Sequence, residues 1–419
     1  MKSSQLLILG NGFDVHCGLK SKYIDFFKFA ILDNAGKRFG LRQMKIDDPG
    51  FWERLLFEYY RKHGDRDYNW CDIETIIKDT LWIICFGEDK KSTNLEKGIW
   101  KKAFEWAKVG RYLEEVDSAD TIIGFISLYC SHFFLSKRPN KNDKADFSTL
   151  NSLLIKILQE LKLFEKRFCK YLKGNIRNPQ NEKEINTSYI LNAVNLLAKL
   201  TKFTDKEFKS MDEIIDNLEY EKQQAKKYDI KFEDAIHLCD ELYDLSNTNI
   251  LSFNYTALFD ILEANSPCKY SNVHGKLCSR DCITDCSGSS IIFGVDDRII
   301  QAQDTNSELR LFSKTYRKML VGGSPISILP PDDQPVEIIF YGHSLSEADY
   351  SYFQSIFDYY DLYSNNKISL KFCYSKGYEN HDAVYKLIGE YGKSLTNKDQ
   401  GKNLIHKLLL ENRLHIQEI

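Results

Sequence analysis

The opening segment constrains the chain most. Residues Gln5 to Leu9 (QLLIL) form a short apolar run that stops at Gly10-Asn11-Gly12. A run this short, closed by glycines, fits a strand buried on both faces of a parallel sheet. Helical periodicity follows from about Lys20 to Leu32, at Tyr23, Phe26, Phe27, Ala30 and Ile31.

Between Pro49 and Leu245 the strand signal nearly vanishes. Apolar residues recur at three and four, as in Ile73, Ile76, Ile77 and Leu81, with charges between them. That spacing predicts a lobe of amphipathic helices. Two polar stretches, Lys137 to Asp146 and Gly174 to Glu184, read as surface loops. The pattern changes near Asn247. Strands are predicted at Asn249–Phe253, Tyr270–Val273, Ser290–Phe293, Val336–Tyr341 and Ile368–Tyr374. Helical patterns lie among and after them, at Ala257–Ala264, Glu308–Leu320, Ser346–Tyr359, His381–Tyr391 and Lys402–Leu414. Alternating strands and helices predict a Rossmann-like α/β domain with a mostly parallel sheet. The first strand is expected to join that sheet. Residues 1–35 plus 246–419 then form the nucleotide-binding domain, and 36–245 form a large inserted α-helical lobe.

A chain of 419 residues exceeds what one core usually serves. No stretch approaches the ~20 apolar residues of a membrane span. The N-terminal run is too short for a secretory signal, so a cytoplasmic location is expected. With 57 Lys and Arg against 60 Asp and Glu, no global charge attracts nucleic acid. The basic cluster Lys222 to Lys231 has acids interleaved and reads as a solvated helix face. Eleven cysteines, scattered and mostly in apolar segments, suit reduced thiols.

Four blocks carry residues fit for chemistry. In LLILGNGFDVHCGL, Gly10 and Gly12 let backbone approach a pyrophosphate, and free amides near a helix start attract its charge. The third glycine of the usual dinucleotide fingerprint is absent, its position held by Val15. In Ser252-Phe253-Asn254, a polar side chain ends a strand, at the edge where open α/β sheets bind ligands. In Asn272-Val273-His274-Gly275, an imidazole on that rim can serve as general base near neutral pH. In Val336 to Asp349, a strong strand runs into Gly342-His343-Ser344-Leu345, where Ser346 suits a helix cap and Asp349 its third position. Each block has an ordinary structural use as well: a tight turn, an Asn or Ser cap, a surface histidine. The residues alone leave both uses open.

Taken in order, LGNGFDVHCGL, SFNYT, HGKL and GHSLSEADYSYF resemble the AbiH-type abortive infection family of bacterial phage defence. Trp70-Cys71-Asp72-Ile73-Glu74 resembles that family's tryptophan–acid block. The family in turn is similar to a distant branch of the sirtuin-like NAD-binding fold. Gly10, Gly12, Gly18 and Leu19 fall at sirtuin spacings, with Asp14 in place of a serine and Lys20 in place of a proline. Ser252-Phe253-Asn254 matches, with Thr256 in place of an aspartate. His274-Gly275 matches the catalytic His-Gly, and Gly342-His343-Ser344-Leu345 the later glycine block. The departures at Asp14 and Thr256 argue against deacylation and toward outright NAD hydrolysis.

The resemblance therefore implies an anti-phage effector whose substrate is NAD, with Asn254 and His274 catalytic. Gly10, Asn11 and Gly12 are expected to cradle the pyrophosphate. Asp14, His16, Ser252, Gly342, His343, Ser344 and Asp349 are the other expected ligand contacts. Asp72 or Glu74 is a candidate to approach the nicotinamide. Cys278, Cys282 and Cys286 follow His274 where sirtuins bear zinc, but paired Cys-x-x-Cys is missing, so no metal is expected. A homo-oligomer and a phage or host trigger protein are expected partners, and no membrane or nucleic acid. The alternatives are a nucleotide sensor without turnover and a nucleic-acid-cleaving effector.

Overall fold

A computed structural model describes residues 4–27, 29, 50–63, 70–87, 97–112, 121–178, 181–201, 245, 247–259, 269–277, 290–296, 308–321 and 327–419. Lys222 to Lys231, Cys278, Cys282, Cys286 and the end of the Ala257–Ala264 pattern lie outside them. The chain divides into two compact units. One comprises Met1–Ser21, Cys169–Ile291 and Gly323–Ile419; the other Lys22–Phe168 and Ile292–Gly322. The division drawn from periodicity, at 36 and 245, does not coincide with these bounds.

The first unit is built on six parallel strands: β1 (Ser4–Leu9), β4 (Thr248–Ser252), β5 (Tyr270–Asn272), β6 (Val336–Tyr341), β7 (Ile368–Tyr374) and β8 (Leu414–Glu418). Their spatial order is β5-β4-β1-β6-β7-β8. Counted along the chain, that is 3-2-1-4-5-6, the Rossmann order. β1 pairs with β4 from Gln5↔Thr248 to Leu9↔Ser252, and with β6 from Ser4↔Val336 to Leu9↔Tyr341. Both neighbours run parallel to it, so strand order reverses at β1, and the loops after β1 and β6 flank the switch point.

β6 is buried at every position, which explains why VEIIFY reads as a continuous apolar run rather than an alternating one. The register sets Leu6, Ile338 and Leu370 in one row and Ile8, Phe340 and Phe372 in the next. The Phe340 and Phe372 rings stack with centroids 4.5 Å apart. These rows share a core with Phe353 and Phe357 of α10 (Tyr350–Tyr359) and with Leu387 and Ile388 of α11 (His381–Ser394). At the other end of the strands, Gln5 accepts from Thr248 and donates to Glu337, so a polar row crosses three strands.

Three expectations are corrected. The pattern Lys402–Leu414 is not one helix: α12 covers Lys398–Leu410, and Leu414 opens β8. Asn412 takes a left-handed φ of 52° between them. Arg413 then anchors the edge strand through the carbonyls of Ile368 and Leu362. Second, Gly174–Glu184 is not simply a loop, because β2 (Arg177–Asn178) and β3 (Asn181–Ile185) pair there as an antiparallel hairpin. Its sequence has no apolar alternation to signal a strand. Third, Ser290–Phe293 is not a strand, although Ile291, Ile292 and Phe293 are buried.

That third stretch ends in the second unit, at Phe293, whose backbone is satisfied by side chains. Its amide donates to Glu165 Oε1 at 2.7 Å, and its carbonyl accepts from Arg317. Arg317 meets both Glu165 oxygens, at 2.6 and 2.7 Å, in a buried bidentate pair. The unit's described helices include α3 (Phe51–His63), α4 (Trp70–Phe86), α5 (Ile99–Ala107), α6 (Thr121–Lys137) and most of α7 (Phe147–Ile176). Trp70 and Glu74 lie in the first turns of α4, and Glu74 is ion-paired with Lys314. Among the described residues, no helix is long and apolar enough to cross a membrane.

Candidate functional site

The glycines at the switch point serve first to bring two loops together. Gly12 N donates to Gly342 O at 2.8 Å, and Gly10 N to Tyr341 O at 2.9 Å. A Cβ on Gly12 would fall 2.7 Å from the Gly342 Cα, and one on Gly10 would strike the backbone of His343. Gly342 itself has φ +67°, where a side chain is strained. The amides of Gly10 and Gly12, assigned to pyrophosphate by resemblance, thus donate within the chain. Asn11, the first residue of α1 (Asn11–His16), accepts from the Ser21 hydroxyl.

One polar cluster lies beside the first loop. Asp14, on α1, is 1% exposed. Its Oδ1 accepts from the Tyr189 hydroxyl at 2.9 Å and its Oδ2 from Thr256 at 2.8 Å. Burial lifts the Asp14 carboxyl to about 7, against the opposing pull of the two hydroxyl donors. Across a small cavity from it is Asn254. The Ser252 hydroxyl accepts from Asn254 N, and Asn272 Nδ2 donates to the carbonyls of Asn254 and Thr256. The SFNYT turn is therefore clamped from inside. Asn254 is 4% exposed, and its Oδ1 has no hydrogen-bond partner in the chain.

A second cluster gathers around Asp349. Its Oδ1 lies 2.8 Å from His274 Nε2, and its Oδ2 lies 3.3 Å from His343 Nε2. All three residues are buried. Leu345 N donates to His343 Nδ1 at 2.9 Å, so that nitrogen is an acceptor and the ring proton sits on Nε2, facing the carboxylate. The Phe253 ring is edge-on to both imidazoles, with centroids 5.4 Å from His274 and 4.6 Å from His343. Tyr352 and Phe353 complete the apolar surround. Asp349 does fall third after Ser346 and precedes α10, but its side chain makes no cap hydrogen bond. Ser346 makes no side-chain cap either. Leu345, whose amide donates to His343 Nδ1, takes a left-handed φ of 56°, an uncommon conformation for a bulky residue.

Phe253 packs on the histidines, whereas Asn254, in the bend after β4, lines the cavity shared with Asp14. Asn254 follows β4 and His274 follows β5, so both stand at the carboxyl edge on the same side of β1.

His16 stands apart and is exposed. Its Nδ1 lies 2.9 Å from Ser375 Oγ and 3.0 Å from Tyr341 Oη. Burial of its inner edge, and then Lys199, hold its pKa below the usual histidine value. Ser344 lines a separate cleft of about 690 Å³ with Glu347, Glu379, Asp382, Lys386 and Glu390. Three residues here were not among the expected site residues. Tyr189 and Thr256 hold Asp14, and Asn272 braces the turn. Thr256 sits in a recognisable block, whereas Tyr189 lies in an ordinary helical pattern.

A family model described as bacteriophage abortive infection AbiH matches residues 6–374. No curated protein and no solved structure matches the chain.

Proposed function

Because this chain belongs to the AbiH family of bacteriophage abortive infection, we propose that it acts in that response by hydrolysing NAD to nicotinamide and ADP-ribose. One observation carries the proposal. Asn254, after β4, and the buried His274–Asp349 pair, drawn from after β5 and β6, stand at the carboxyl edge of the sheet beside the glycine loops that follow β1 and β6. This is the edge and the switch point at which Rossmann-type sheets take nucleotides.

The chemistry asks little of the protein. Nicotinamide leaves NAD as a neutral molecule from a cationic ring, so it needs no proton. The site must hold the ribose, exclude stray nucleophiles and orient one water. Asp349 favours the His274 tautomer with its proton on Nε2, making Nδ1 the basic nitrogen. That nitrogen takes a proton from a ribose hydroxyl or from the water. Asn254 Oδ1 accepts from a hydroxyl or the water. The cleft lined by Ser344 falls within the ~300–1,000 Å³ of small-molecule sites. Its carboxylates outnumber its bases and suit the hydroxyls of a nucleoside rather than a phosphate.

The test is incubation of purified protein, alone and in lysate from phage-infected cells, with NAD. Nicotinamide and ADP-ribose should appear together. Asn254→Ala should slow their release by ~10²-fold or more. NAD that stays intact under both conditions rejects the reading. A second reading, a nucleotide sensor without turnover, draws on the internally bonded Gly10 and Gly12 amides. It predicts calorimetric binding of NAD or ADP-ribose with no product.

A further inference from the structure

We propose that Asp14 is the general base of this site, seating a water together with Asn254 and taking a proton from it. The inference rests on the NAD-hydrolysis reading and divides the labour within it: His274 serves the ribose hydroxyl, and Asp14 serves the water.

The geometry has three parts. First, Asp14 and Asn254 line one cavity of about 10 Å³, closed by Phe13, Thr256, Tyr270 and Asn272. That is room for a single water, which needs two to four polar partners. Second, Asn254 lines that space, and its Oδ1 is buried without a hydrogen-bond partner among the described residues. A buried acceptor left so costs ~1–3 kcal/mol, and a water hydrogen satisfies it. Third, each Asp14 oxygen accepts one hydroxyl, from Tyr189 or Thr256. A carboxylate oxygen has a second lone pair, so the water's other hydrogen has a receiver. Asn254 and Asp14 therefore take the two hydrogens of one water, which leaves its oxygen lone pairs for attack.

The proton balance closes. The water oxygen forms a bond to the ribose C1′, and the C1′–N bond breaks with its electron pair passing to the pyridinium nitrogen. One water proton moves to the Asp14 carboxylate and is later released to solvent. The products are ADP-ribose, nicotinamide and one proton. The groups facing Asp14 are Tyr189 from α8 (Thr187–Leu200), Cys17 at the end of its own helix, and Tyr270 across the cavity. None is cationic, and burial leaves the carboxyl at about 7, near the value at which a base works best in neutral solution.

The experiment is the pH profile of nicotinamide release between pH 5.5 and 8.5. Wild type should rise about tenfold per pH unit below 7 and level off above it. Asp14→Asn should lose ~10²–10⁴-fold and the rising limb, with calorimetric NAD affinity retained. Tyr189→Phe removes one donor to the charged form, so the limb should move to higher pH; this variant decides the matter if Asp14→Asn does not fold. Wild type that releases no nicotinamide overturns the hydrolysis reading and this role with it. Wild type that is active, with variants keeping its rate and its limb, overturns the Asp14 assignment alone.

Discussion

Asp14 shows how little a single residue's neighbours in sequence say about its state. In FDVH it looks like an acid in the first turn of a helix. In the fold it is buried, and two hydroxyls, from Tyr189 and Thr256, donate to it. This makes a prediction independent of catalysis. Its folded pKa, about 7, lies above the ordinary carboxyl value of 3.8. The folded state therefore holds the proton more tightly than the unfolded chain. The stability from that proton is fully present below about pH 4 and is lost as pH rises through 7. Asp14→Asn escapes this loss. Its unfolding midpoint should exceed that of wild type at pH 8, and the gap should shrink at pH 5. The ceiling on the difference is about 4 kcal/mol, from roughly three pH units at 1.4 kcal/mol each. Urea titrations at the two pH values measure it, and equal midpoints at both would refute the burial argument.

At the scale of elements, the decisive contact is between two loops. The turn after β1 and the turn after β6 share a hydrogen bond through Gly12 and Gly342. Gly342→Ala should destabilise the protein by about 2 kcal/mol or more, from the left-handed φ plus a clash with the Phe13 amide. Gly377, also at positive φ but with open space around it, should tolerate alanine with only the conformational cost of ~1 kcal/mol. Thermal denaturation of the two variants separates close packing from backbone geometry alone. The block GNGFD…GHSL thus has a structural purpose beside any contact with a nucleotide. Its glycines were legible as a motif, but their mutual packing was not, because Gly12 and Gly342 lie at opposite ends of the sequence.

For the molecule as a whole, each compact unit is stabilised in its own way. The first has a sheet whose inner strands are buried on both faces. The second closes its helices around the Glu165–Arg317 pair. Burial pushes the Glu165 carboxyl up, and Arg317 opposes that push. Glu165→Ala strands a buried guanidinium and the Phe293 amide, so it should cost ~3–5 kcal/mol. Hydrogen exchange should show the lost protection in α7 and α9 (Lys314–Val321). Retained protection there would mean that the pair is dispensable. In cells, the abortive infection role implies that loss of this unit's fold also lowers protection against phage, read as plating efficiency.

The sequence by itself determined the parallel Rossmann-like sheet, since each inner strand is an apolar run bounded by turn residues. It also marked the blocks that reach the carboxyl edge. These are local properties, set by neighbours a few positions away. Only the tertiary structure decided which polar groups meet. Asp14 and Tyr189 are 175 residues apart, and Asp349, at the start of α10, meets two imidazoles with its carboxylate instead of capping the helix. The edge strand β8 was hidden for a related reason. LHIQE is half polar, and it becomes a strand because β7 offers it a free ladder and Arg413 holds its entry. Pairing of this kind is a property of the packed chain, where burial penalises a polar group left without a partner.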